Sequence, residues 1–197
     1  RPEVLSDRGA VVAFVLGAEL SERLEALARI HDTTLFMVLL AAWQVLLGHY
    51  SGQRDVVVGT LVANRTRSDV ESMIGCFINL LALRTDLSGD PTFTELLGRV
   101  RETVLGAFEH QAAPIDLVVD ALGAARGPGR RPLFQAMLVL QNIPSAARPI
   151  ADDLVVEPLV SGPDQVSRFD LMLSITRTDA GLRGILRYAT DLYEATT

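Results

Sequence analysis

An asparagine set inside an apolar run is the first candidate for chemistry in this chain. Residues 73–86 read Met-Ile-Gly-Cys-Phe-Ile-Asn-Leu-Leu-Ala-Leu-Arg-Thr-Asp, with Asn79 in the middle and Arg84 near the close. A carboxamide in that setting is either a core amide satisfied by neighbouring backbone or a donor and acceptor pair presented at a cavity wall. Ile74, Phe77, Ile78, Leu80, Leu81 and Leu83 predict one buried strand over the whole run, and Gly75 marks a point where the backbone turns or is closely approached. Cys76 reads as a small core residue. Asn64, Arg65 and Arg67 stand in a polar loop just upstream, where pairing with Asp69 or Glu71 competes with any binding role. His110 and Gln111 fall at the end of a long helical pattern, where an imidazole can cap the last carbonyls. The three histidines, His31, His49 and His110, have no metal-ligand spacing, so no metal site is expected.

The composition narrows the function classes. With 197 residues, 49% of them hydrophobic, the chain can bury the core of one domain or of a large half of one. A net charge of −6 with scattered arginines argues against nucleic-acid binding. All 18 basic residues are arginine, which suggests a GC-rich bacterial coding sequence. The longest apolar stretch is interrupted by Gln44 and ends at Gly48 and His49, short of a membrane span, so no membrane partner is expected. A single cysteine precludes an internal disulfide and fits a reducing cytoplasm. The start, Arg1-Pro2-Glu3, has no signal-peptide pattern and reads as a cut within a longer protein.

These candidates must be positioned by an alternation of strands and helices. Residues 11–16 predict a strand, 18–30 an amphipathic helix, and 35–50 a helix apolar nearly all round and capped by Thr33 or Thr34. Residues 55–62 predict a fully covered strand, and 92–111 a long helix with Phe93, Leu96, Leu97, Val100, Val104, Leu105 and Phe108 inward. Ala113-Pro114 break it before a short helix over 115–122. Residues 123–131 read as an exposed loop whose glycine spacing fits no phosphate cradle. Strands are expected over 133–141, 154–159, 169–178 and 182–188, an irregular stretch over 142–153, and a terminal helix from Asp191. The string predicts an α/β, two-layer sandwich of a mixed β-sheet with its helices mainly on one face.

Four stretches, in order, carry a family resemblance. Asn64-Arg65-Thr66-Arg67 followed by Ile74-Gly75-Cys76-Phe77-Ile78-Asn79 resembles the Ala-Asn-Arg segment and Gly-x-Phe-Val-Asn signature of the condensation domains of nonribosomal peptide synthetases. His110-Gln111-Ala112-Ala113-Pro114-Ile115-Asp116 is similar to that family's His-Gln-Asp-x-Pro-Phe-Glu stretch, with Ala112 in place of its aspartate. Arg131-Pro132-Leu133-Phe134-Gln135 with Gln141-Asn142 resembles Arg-Asn-Pro-Leu-Phe-Gln and its downstream Gln-Asn. Phe169-Asp170-Leu171 and Tyr188-Ala189-Thr190-Asp191-Leu192-Tyr193 resemble the closing hairpin and its Tyr-x-x-Asp-Leu-Phe end. The family's His-His-x-x-x-Asp-Gly motif occurs nowhere in this chain.

The resemblance implies a chloramphenicol-acetyltransferase-like half domain, residues 1–197 being the C-terminal half of a condensation domain whose N-terminal half is absent. A complete domain of this kind joins an aminoacyl or peptidyl thioester on one carrier protein to the amine held on the next. The implied partners are therefore the N-terminal half, upstream and downstream peptidyl carrier proteins and a downstream adenylation domain. No cofactor is bound directly, since phosphopantetheine arrives on the carriers. By resemblance, Asn79, Gln111 and Arg84 line the substrate tunnel and Asn64, Arg65 and Arg67 form its floor loop. Gly75, Phe77, His110, Pro114, Arg131, Pro132, Phe134, Asp170 and Asp191 are expected to keep the fold, and residues 142–153 to reach across to the other half. No catalytic residue is expected here, and the isolated chain is expected to be inactive. The rivals are a non-catalytic condensation-like module that recruits a tailoring enzyme or carrier protein, and a free-standing acyltransferase.

Overall fold

The computed structural model describes residues 2, 4, 6–124, 127, 129–141 and 165–196. Its elements are β1 (Arg8–Gly17), α1 (Ala18–Ile30), α2 (Leu35–Ser51), β2 (Asp55–Val62), α3 (Ser68–Glu71), β3 (Asn79–Asp86), α4 (Phe93–Glu109), α5 (Ile115–Ala121), β4 (Ala136–Gln141), β5 (Gln165–Val166), β6 (Leu171–Thr178) and β7 (Gly181–Ala189). Among the described residues the strands form one mixed sheet of seven in the order β3-β2-β4-β6-β7-β1-β5. Its centre is parallel, β2 beside β4 and β4 beside β6, and its flanks are antiparallel. The α/β expectation holds.

Period-2 and period-3.6 patterning meet in the core. Val56, Val58, Leu81, Leu83, Leu138, Leu173, Ile175 and Leu182 point from the sheet to the buried faces of α1, α2 and α4, where Leu40, Leu97, Val100 and Val104 pack. The opposite face carries a smaller cluster of Phe134, Met137 and Val139 against Val57, Leu80 and Ile115, so the start of α5 packs on that side. At an apolar yield of about 25 cal/mol per Å², the larger cluster is the main source of stability. Thr34 caps α2 by accepting from the Met37 N–H at 3.3 Å, and Gly52 ends it at φ 69°. Thr92 and Glu95 form a capping box on α4. Ser21 was not singled out in the sequence, yet its buried hydroxyl lies 3.0 Å from both Leu16 O and Gly17 O and accepts from the Leu182 N–H, stitching α1 to the β6–β7 hairpin.

Several expectations need correction. The run 73–86 is a strand only from Asn79, because β2 ends at Val62, opposite Asn79, and Asn64 turns away at φ 51°. Residues 73–78 therefore have no ladder partner, and Met73, Ile74 and Ile78 are exposed, Ile74 completely. Cys76 is exposed as well. Phe93, Leu105 and Phe108 lie at the margin of the buried stripe of α4, and Val45 and Leu46 leave one side of α2 open. β4 begins at Ala136 rather than at 133, because Leu133 adopts φ 69° and the Phe134 N–H bonds Pro132 O at 2.9 Å, a tight turn that no strand can continue. No helix follows Asp191 among the described residues; its carboxylate instead accepts the Ser6 N–H at 2.6 Å. The sequence reading missed β5. The expected strand over 154–159 and the reaching segment over 142–153 lie outside the described residues. No single helix among the described residues is long and apolar enough to cross a membrane.

Candidate functional site

The ends of β2, β4 and β6 point the same way because the three strands are parallel, and the loops leaving them open a crevice at their C-terminal edge. An open cleft of about 1120 Å³ lies there. Its walls come from five distant parts of the chain: the start of α2, residues 60–66, the end of α4, residues 140–141 and residues 176–182. Leu35, Phe36, Val62, Phe108, Leu140 and Leu182 give it an apolar body, while Thr34, Thr60, Asn64, Thr66, Gln111 and Gln141 add hydroxyls and amides. The Thr60 hydroxyl is buried and donates to Leu138 O at 2.8 Å, which ties β2 to β4 under the cleft.

The polar loop feeds this cleft. Asn64, at φ 51°, bends the chain out of β2, and Arg65 then gathers the loop beneath it. The Arg65 guanidinium donates to Val70 O, to Glu71 O at 3.4 Å and to Gly75 O at 3.2 Å, and its centre lies 4.3 Å over the Phe77 ring. Three carbonyls and one ring are thus fixed by one planar cation. Arg67 instead makes the expected pairing, two bonds to Asp69 at 3.0 and 2.6 Å.

Asn79 stands beside the cleft, at the first position of β3. Its Nδ2 donates to Gln111 O at 2.8 Å and to Ala113 O at 2.7 Å, and its Oδ1 accepts from the Leu80 N–H at 2.9 Å. Gln111 lines the cleft, with Nε2 donating to Phe108 O at 2.9 Å. His110 caps α4, its Nδ1 at 2.9 Å from Gly106 O, and Pro114 follows as the N-cap of α5. Arg84 is not brought to the cleft. It lies five residues along β3, about 17 Å away at strand rise, donating to both carboxylate oxygens of Asp55 at 2.9, 3.1 and 2.7 Å. That pairing holds the Asp55 carboxyl below its ordinary range and the Arg84 guanidinium above its own.

The remaining motif residues form a second knot. Phe134 is buried and stacks on Phe169 with centroids 5.9 Å apart; Arg131 lies over Phe169 at 5.0 Å and donates to Arg168 O. Pro132 accepts the turn bond from Phe134, and the buried Asp170 bonds Gln135 O through its N–H at 3.0 Å. The only carboxylate lining the cleft among the described residues is Asp179, and no histidine lines it. Arg177 at the rim is paired with Glu25. Such a wall can orient, exclude water and donate hydrogen bonds, but it holds no adjacent acid and base for proton transfer.

A family model described as "Condensation domain" matches residues 2–197. The chain belongs to the condensation-domain family. A linear gramicidin synthase of Brevibacillus parabrevis is 49% identical over 198 residues, which is 100% of this chain and 2% of that protein. Among solved structures, the X-domain from teicoplanin biosynthesis is 32% identical with a TM-score of 0.88, covering 100% of this chain and 45% of that one. A complex of the X-domain and OxyB from teicoplanin biosynthesis is 30% identical with a TM-score of 0.84, over 100% of this chain and 43% of that one. The chain thus spans less than half of each of these condensation-domain relatives.

Proposed function

We propose that this chain is the C-terminal half of a condensation domain that forms a peptide bond between aminoacyl or peptidyl thioesters on two carrier proteins, in nonribosomal peptide synthesis. The reading is carried by the open cleft at the ends of the three parallel strands, which is lined by orienting groups without a proton-transfer pair. In the reaction the amine on the downstream carrier attacks the thioester carbonyl on the upstream one. A C–N bond forms, the C–S bond breaks, and the departing thiolate takes up the proton lost by the amine.

Magnitudes indicate what such a half contributes. Orienting two reactants removes about 7–11 kcal/mol of the barrier, whereas a general base gives about 10²–10⁴-fold. The larger share is positional, and a wall suffices for it. Acid–base work belongs to the N-terminal half in this account, and phosphopantetheine enters with the carriers. The downstream adenylation domain loads the acceptor carrier.

The test is reconstitution. This chain and an N-terminal half are supplied as separate polypeptides with both loaded carriers, and dipeptide on the downstream carrier is measured by intact mass. Product that requires both halves is the expected result; a stable complex of halves that yields none contradicts it. The second reading, a non-catalytic module that recruits a tailoring enzyme, is favoured by the likeness to an X-domain solved in complex with OxyB. It predicts capture of a tailoring enzyme by the complete domain together with absence of dipeptide.

A further inference from the structure

The Asn79 carboxamide is committed on all sides that matter for donation. Both Nδ2 protons go to backbone carbonyls of the turn after α4, Gln111 O at 2.8 Å and Ala113 O at 2.7 Å. Neither can reach a substrate carbonyl unless one of those bonds breaks. A side chain that holds two carbonyls of this turn from outside fixes the path of the chain from α4 to α5. Asn79 is well placed for this. It opens β3 in ladder register with Val62, so its backbone is anchored while the turn it grips is a connection between two helices.

The gripped turn presents Gln111 to the cleft. Its Nε2 donates to Phe108 O at 2.9 Å, and because a carbonyl oxygen only accepts, that bond decides which end of the carboxamide is nitrogen. The Gln111 Oε1 takes no hydrogen bond from any described residue, which leaves it an acceptor at the cleft wall.

Building on the peptide-forming reading above, we propose that Asn79 is a positioning residue acting through Gln111, whose side-chain oxygen accepts a hydrogen bond from an N–H group of the bound thioester substrate. The ligand chemistry is an amine or amide N–H donor. Asn79 itself does not touch substrate.

Two readouts on the whole chain test this. In hydrogen–deuterium exchange, Asn79→Ala speeds exchange about tenfold in peptides covering residues 110–115, the size expected for loss of one or two such bonds, while peptides from β2 and α2 are unchanged. In the reconstituted reaction at saturating carriers, Asn79→Ala and Gln111→Ala each slow single-turnover product formation, and the double variant is no slower than the worse single one. Asn79→Asp keeps the size and the Oδ1 acceptor but turns an oxygen toward both carbonyls, so it reproduces the effects of alanine. Rate losses that multiply in the double variant, or a rate loss with unaltered exchange over 110–115, overturn the proposal and put Asn79 on the substrate. If the unmodified halves make no dipeptide, the peptide-forming reading fails, and the exchange result alone judges the grip of Asn79 on the turn.

Discussion

At Asn79 and Arg65 the chemistry available to the side chain is decided by how many of its donors the backbone has already claimed. Arg65 spends its guanidinium on the carbonyls of Val70, Glu71 and Gly75 and its face on Phe77. Lysine is a point charge without the planar fork, so Arg65→Lys is expected to cost nearly as much as Arg65→Ala, about 1–2 kcal/mol. Denaturant midpoints measure this, with limited proteolysis reporting earlier cleavage within residues 72–78. Arg84 offers the contrast. Its pair with Asp55 is exposed, so Arg84→Ala should lower stability only slightly and leave product formation unchanged, despite its place in the signature run. The cap formed by His110 was legible because helix ends leave carbonyls that a nearby imidazole can reach. The grip of Arg65 was not, since every loop carbonyl looks alike in a sequence.

Elements followed the hydrophobic period closely where a partner existed. The expected ranges for α1 and β2 match the folded ones, because amphipathic spacing and a continuous β-branched run each have one good solution. The run before Asn79 misled for the opposite reason: apolar content suggests burial, but a strand needs a neighbour, and β2 stops at Val62. Gly59, unremarked in the sequence, shows a requirement that only packing reveals. A Cβ there would lie 2.1 Å from Cε2 of Phe134. Gly59→Ala is therefore expected to destabilise by about 1–3 kcal/mol, the range for overpacking, and Phe134→Leu in the same chain should recover part of the loss. Thermal unfolding of the two single variants and the double variant reads both effects.

Across the whole molecule, carboxylates hold the ends of elements together. Asp191 is held below its ordinary range chiefly by the Ser6 N–H, Asp55 by Arg84, Asp86 by Ser88 and Glu95 by Thr92. Each has a lower pKa folded than unfolded, so each adds stability that is complete above the unfolded value and is lost on acidification through the folded one. Denaturant midpoints should accordingly be level from neutral pH down to about 5 and fall below that. Exposed Met73, Ile74 and Ile78 add a second expectation at this scale: the chain alone should self-associate in sedimentation as concentration rises, and an N-terminal half should suppress it. The sheet class was legible from alternating periods. The cleft was not, because its five wall segments lie far apart in the sequence and only the parallel pairing of β2, β4 and β6 brings their ends together. The central claim is that this cleft is one wall of the acyl-transfer site. It is tested most directly by filling the cleft: Ala63→Trp places an indole at an exposed rim position without entering the core. In the reconstituted two-half reaction, the account predicts that this variant still binds the N-terminal half but loses dipeptide formation; undiminished dipeptide from a complex that carries the indole would contradict it.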